Sequence, residues 1–157
     1  MAAAGAHATA PAAPTGPVVF AYDGSELAAL AIERAGHQLA RGSDALVVCV
    51  WQPNDVGFLP IGERRLNAAE ATEVRKAAEQ TAAHGASLAE SAGFRARSIA
   101  IEAAPTWEGI VDIANEHQAS LIVLGSHRRR GLVGHLLGSV AAAVVKHSAS
   151  SVLVVRS

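Results

Sequence analysis

The run Gly125-Ser-His-Arg-Arg-Arg-Gly-Leu-Val-Gly-His-Leu-Leu-Gly138-Ser139-Val140 is where residue types and spacing in this chain point to chemistry. It follows the apolar run Leu121 to Leu124 and leads into an amphipathic segment, so it reads as strand, glycine-punctuated loop and helix. Amides at a helix start have no intrahelical partner and carry the positive end of the helix dipole, and glycines let a phosphate come close to the backbone. The predicted chemistry is anion binding, with Arg128, Arg129 and Arg130 adding local positive charge. A plainer reading stands beside it: Gly138-Ser139 suits a turn and an N-cap without any ligand, and an arginine run is commonly a solvated loop. Asp23, before Gly24-Ser25, is equally open between capping the first helix and meeting a ligand.

Other reactive residues are scattered. The seven histidines, His7, His37, His84, His117, His127, His135 and His147, lack the close paired spacing of zinc motifs, and Cys49 stands alone, so no dedicated metal site is expected. No G-x-x-x-x-G-K-[ST] loop, G-x-S-x-G elbow or G-x-G-x-x-G after the first strand occurs. No catalytic residue is therefore nominated. Two Trp, one Tyr and three Phe are too few aromatics for a single-strand nucleic-acid reader, and Trp107 reads as core or interface.

The elements that must position the glycine loop follow from hydrophobic period. Val18 to Tyr22 reads as a first strand, with N-cap candidates in Asp23-Gly24-Ser25. Glu26 to Arg41 reads as a helix with Ala28, Ile32, Ala35 and Leu39 on its buried stripe, stopped by Gly42. Ala45 to Trp51 is an unbroken apolar run, suited to a strand covered on both faces. Gln52 to Gly62, rich in Pro and Gly, is a loop and the best candidate lid. Glu63 to Ala92 reads as helix, with Leu66, Val74, Ala77, Thr81 and Leu88 on one face. Arg95 to Glu102 is a weaker alternating strand, nearer an edge. A helix starting at Pro105 and Thr106 carries Trp107, Ile110, Val111 and Ala114 and runs to about Gln118. Leu121 to Leu124 is the fourth strand, and a last helix with Val140, Val144 and Val145 precedes the strand Val152 to Val155. Alternating strands and helices predict an α/β domain: an open, mostly parallel sheet with helices on both faces, right-handed crossovers and a ligand site beyond the carboxyl ends of the strands.

Composition narrows the classes. The 157 residues, half of them apolar, fit one domain, and a net charge of −1 excludes a broadly basic nucleic-acid surface. Residues 1–16 form an Ala/Pro-rich tail expected to be disordered, and 17–157 the domain. The tail lacks the pattern of a secretory signal, and the longest apolar stretch, Gly131 to Val145, is interrupted by His135, Gly138 and Ser139, so no membrane span is expected. With one cysteine, a reducing cytoplasmic setting is expected.

Taken together, Val19-Phe-Ala-Tyr-Asp23-Gly-Ser25, Ala104-Pro-Thr-Trp107, Gly125-Ser-His127, Leu137-Gly-Ser-Val140 and Val152-Leu-Val-Val155 resemble the universal stress protein family over roughly Pro17 to Arg156. The most specific part is the spacing Gly-x2-Gly-x9-Gly-Ser/Thr of its ATP-binding members, matched at Gly125 and Gly138-Ser139, with Arg128 in place of the middle glycine. The resemblance implies a Rossmann-like five-stranded parallel sheet in the order 3-2-1-4-5 and a homodimer through the C-terminal strand. It implies a non-catalytic module for stress response or signalling that binds ATP, with Mg²⁺ where the nucleotide brings it, and an unidentified protein partner. Adenine would lie near Ala21, Asp23 and Val50, and ribose and phosphates on Gly125, Arg128, Gly138, Ser139 and Val140. Two alternatives remain open: a nucleotide-free dimeric interaction module whose pocket Arg128 blocks, and a slow ATP hydrolase. Arginine at 128 either obstructs a phosphate or gives it two charge-assisted hydrogen bonds.

Overall fold

The computed structural model describes residues 15–52, 68–127 and 137–156. Its elements are β1 Val18–Ala21, α1 Glu26–Gln38, β2 Asp44–Trp51, α2 Ala68–Ser91, β3 Arg95–Glu102, α3 Thr106–Glu116, β4 Leu121–Ser126, α4 Ser139–His147 and β5 Ser151–Arg156. The strands form one sheet in the order β3-β2-β1-β4-β5, and every neighbouring pair is parallel. Chain order therefore reverses between β1 and β4, where Val18 to Phe20 pair with Leu121 to Val123 and the crossovers leave the sheet in opposite directions.

Alternation along the strands sorts the core into two layers. Phe20, Val47 and Val123 point toward α1 and pack with Leu27, Ala28 and Ile32. Val19, Leu46, Val48 and Ile122 point the other way, onto Ile110, Ala114 and Val144 of α3 and α4. Because both faces are covered, β1 and the middle of β2 are apolar at every position, which is why their sequences show no alternation of polarity. β3 pairs only with β2, and its residues are half-buried or exposed, as its weaker pattern predicts for an edge.

Several boundaries differ from those expected, each for a local reason. α1 ends at Gln38, because Leu39 turns to an extended conformation and its N–H closes the last turn on the Ala35 carbonyl. In α2 the buried face is Ala78, Ala82, Gly85, Ala86 and Ala89, whereas Ala77, assigned to the buried stripe from sequence, is exposed. An alanine-rich helix gives nearly the same hydrophobicity on adjacent faces, so its orientation is set by close approach to the sheet rather than by bulk. Pro105 is the N-cap of α3 rather than its first residue. β4 continues two residues past the apolar run, since Gly125 and Ser126 remain in register with Val155 and Arg156 of β5. Residues 1–14 of the expected tail 1–16 and 53–62 of the expected lid 52–62 lie outside the described residues, as does the start of the expected second helix at 63–67.

α3 and α4 are joined by an aromatic contact: the half-buried Trp107 stacks on His147 with ring centroids 4.4 Å apart and planes 18° from parallel. Among the described residues no helix is long and apolar enough to cross a membrane.

Candidate functional site

At the carboxyl ends of β1, β2 and β4 the sheet opens into a half-open cavity of about 240 Å³. Ala21, Val48, Val50 and Leu124 give it an apolar floor, and Leu27, Ala28 and Ile110 close its sides from α1 and α3. Polar groups gather around this floor: Asp23 and Ser25 at the β1–α1 turn, Thr106 at the start of α3, and Ser126, His127, Gly138 and Ser139 between β4 and α4. An apolar slot with a few placed polar groups is the usual make-up of a small-ligand site.

Seven of the eight residues singled out from sequence, Ala21, Asp23, Val50, Gly125, Gly138, Ser139 and Val140, line this one cavity. Arg128 lies outside the described residues, together with the rest of 128–136. Other roles change in detail. Ser25, not Asp23, caps α1, its Oγ accepting the Ala28 N–H at 3.2 Å. Asp23 instead stiffens the preceding turn, Oδ1 accepting the Ser25 N–H at 2.9 Å. Ser139 is the first helical residue of α4, and Gly138 occupies the cap position, with no side chain capping the helix. Among the described residues the one side chain that accepts from the N-terminus of α4 is Ser126, which takes the Gly138 N–H; the N–H groups of the first helical turn face the cavity end, where the helix dipole favours negative charge.

The two ends of the glycine motif are glycine for different reasons. A Cβ at Gly125 would stand 2.8 Å from Leu27 Cγ and 3.0 Å from the Leu27 carbonyl oxygen, so α1 packs on the bare backbone of β4. A Cβ at Gly138 would meet only ordinary contacts among the described residues, Ser126 Oγ at 3.5 Å and the His127 carbonyl at 3.7 Å. Its φ of −57° is open to any residue. Packing explains the first glycine and leaves the second unexplained.

Sequence reasoning missed Ser126 and Thr106. Ser126 is 4% exposed, the one buried polar residue among those described, and its Oγ accepts the Gly138 N–H at 2.8 Å. That bond ties the end of β4 to the start of α4. The sequence hid it because a serine between a glycine and a histidine reads as loop surface. Thr106 Oγ1 accepts from Gln52 Nε2 at 3.1 Å, linking the end of β2 to α3.

Tyr22, also at the cavity, turns its ring to the α2 side, where Gly85 has no side chain to obstruct it, and its hydroxyl lies 2.9 Å from His84 Nδ1. Burial, the Asp23 carboxylate and Cys49 all raise its pKa above the ordinary tyrosine value. A phenol whose folded pKa is raised stabilises the fold below the unfolded value of about 10 and loses that contribution as pH rises through the folded value. The protein is expected to lose stability above about pH 10. As the sole tyrosine, Tyr22 gives an unambiguous tyrosinate absorbance titration, which should be shifted alkaline from that of the unfolded chain; a Tyr22→Phe variant should flatten the alkaline loss.

Among the described residues no group of three His, Cys, Asp or Glu side chains is placed to hold a metal ion. The described cavity lining carries one carboxylate, Asp23, and no lysine or arginine, so an anion there would be met by amides, hydroxyls and the His127 imidazole.

Residues 15–156 match the universal stress protein family model. A universal stress protein of Mycolicibacterium smegmatis is 32% identical over 141 residues, 89% of this chain and 45% of the relative, so the chain spans about half the length of that protein. Among solved structures, a universal stress protein from Archaeoglobus fulgidus in complex with dAMP superposes with a TM-score of 0.61 at 25% identity, covering 88% of this chain and 96% of the other. A universal stress protein in complex with cAMP superposes with a TM-score of 0.60, also at 25% identity, over 90% and 96% of the two chains. With the family model matched across nearly all of the chain and the sheet order reproduced, this chain belongs to the universal stress protein family.

Proposed function

We propose that this chain is an adenine-nucleotide-binding module of the stress response that acts by binding rather than catalysis. The observation that carries the reading is the meeting, in one cavity at the β1/β4 switch point, of an apolar slot, the Asp23 carboxylate and the N-terminus of α4. Solved relatives with dAMP and cAMP supply the class of ligand. In this reading Ala21 and Val50 hold adenine, and the free Asp23 oxygen accepts from a neutral donor of the nucleoside. Gly125, Gly138, Ser139, Val140 and, beyond the described residues, Arg128 serve ribose and phosphates. Asp23 would repel phosphate, so the charged end of the ligand belongs at α4, where the helix start offers roughly half a positive charge.

The same reading places the protein in the cytoplasm as a homodimer through β5. This edge strand pairs on one side with β4 and carries half-buried Val152, Leu153 and Val154. Native mass spectrometry at dilute concentration should show twice the 16.0 kDa chain mass; a monomer with full nucleotide affinity would remove the dimer from the mechanism.

The nucleotide reading is tested by thermal unfolding with Mg·ATP, ATP alone and AMP. A ligand selective for the folded state, at a hundredfold excess over its dissociation constant, contributes about 2.7 kcal/mol, or roughly 5–10 °C for a domain of this size. No shift with any of the three at millimolar concentration would reject nucleotide binding and leave the interaction module with a closed pocket. Phosphate release above that of a Ser139→Ala variant would instead favour the slow hydrolase.

A further inference from the structure

The arrangement of Ser126 carries more than a tie between strand and helix. Its hydroxyl is buried, lines the cavity beside Gly138 and Ser139, and belongs to the last ladder residue of β4, held in register against Arg156. The direction of its bond to Gly138 follows from chemistry alone: a backbone N–H only donates, so the Ser126 oxygen accepts and keeps its own proton for another partner. Among the described residues no acceptor takes that proton. A buried hydroxyl with an unspent donor, at the same end of the cavity as the α4 amides, matches a group that offers only acceptors. At neutral pH an ionised phosphate is such a group, whereas a sugar hydroxyl both donates and accepts.

We propose that Ser126 is a specificity-determining residue that distinguishes phosphorylated from unphosphorylated nucleosides, accepting from the Gly138 N–H to fix the start of α4 and donating its own proton to a phosphate oxygen in the cavity. This rests on the nucleotide reading above and adds a residue and a selection rule to it. The two halves cooperate: a hydroxyl that accepts from an amide is a better donor on its other side, and the amide bond keeps the oxygen from swinging out of line.

Calorimetric titration of AMP and of adenosine into the parent protein and Ser126→Ala tests the assignment, with melting temperature as the control for folding. The expected result is AMP binding weakened by about tenfold, the scale of one lost charge-assisted hydrogen bond, and adenosine binding changed less than about twofold. Ser126→Thr, which keeps the hydroxyl, should restore AMP binding. If the alanine variant does not fold, Ser126→Cys serves in its place, since a thiol is a weak donor of similar shape and should show the same selective loss. Equal weakening of both ligands would reduce Ser126 to a structural tie, and undiminished AMP binding would remove it from the site; either overturns the assignment while leaving the nucleotide reading in place. A parent protein that binds neither ligand overturns the nucleotide reading itself, and the assignment falls with it.

Discussion

Gly125→Ala is expected to lower the melting temperature by about 2–12 °C. The added methyl would sit 2.8 Å from Leu27 Cγ and 3.0–3.1 Å from the Leu27 carbonyl atoms, separations that real Cβ atoms seldom or never show. The side chain of Leu27 can turn away, but its carbonyl belongs to the first turn of a helix anchored by the Ser25 cap. Relief therefore requires α1 to lift from β4, opening the layer that holds Phe20, Ile32 and Val123. Overpacking of this kind costs about 1–3 kcal/mol, and a domain of this size loses about 2–4 °C per kcal/mol. Thermal denaturation followed by circular dichroism measures it. An unchanged melting temperature would mean that α1 approaches β4 less closely than the Leu27 contacts indicate.

Gly138→Ala should do the reverse: little change in melting temperature and a loss of AMP or ATP affinity of at least about tenfold, near 1.4 kcal/mol. The backbone angles at 138 suit alanine, and its methyl would meet only ordinary contacts among the described residues. A poorer N-cap costs a fraction of a kcal/mol, and the narrower unfolded ensemble of alanine offsets a similar amount. The methyl would occupy space beside Ser126 Oγ at the α4 end of the cavity, where the proposed phosphate must approach the amides. Titration calorimetry beside a melting curve separates the two effects. A destabilised variant with normal affinity would return Gly138 to the role of a turn residue. With both results as expected, the two substitutions would divide one sequence motif into a glycine that the fold requires and a glycine that the proposed ligand requires.

That division marks how far the sequence alone could be read. The parallel α/β architecture was legible because β1, β2 and β4 are apolar runs separated by segments of helical period, and β3 was bounded correctly at Arg95 and Glu102. The strand order came from family resemblance, since local periodicity carries no information about which strands are neighbours. The helix face of α2 was not legible, because alanine contributes little contrast between Ala77, which is exposed, and Ala78, which is buried. The Asp23-Gly24-Ser25 turn and the Gly125 and Gly138-Ser139 positions were visible as turn and glycine chemistry, whereas Ala21 and Val50 came from the family resemblance. Ser126 was not, since its burial depends on β4 continuing beyond Leu124, and that continuation is a matter of backbone pairing with β5 rather than of side-chain polarity. Which of Asp23 and Ser25 caps α1 likewise depends on a turn geometry that two adjacent cap-forming residues leave undecided.

The chain's two tryptophans sit at telling places. Trp51 directly follows the cavity residue Val50 and is buried beneath α2, while Trp107 directly follows the cavity residue Thr106 and stacks on His147. Each indole is one peptide unit from the cleft, on a different wall, and neither is exposed enough to be dominated by bulk solvent. Intrinsic fluorescence should thus register occupancy without any label. Replacing His147, which removes the stacking partner of Trp107 alone, would let the two walls be watched separately.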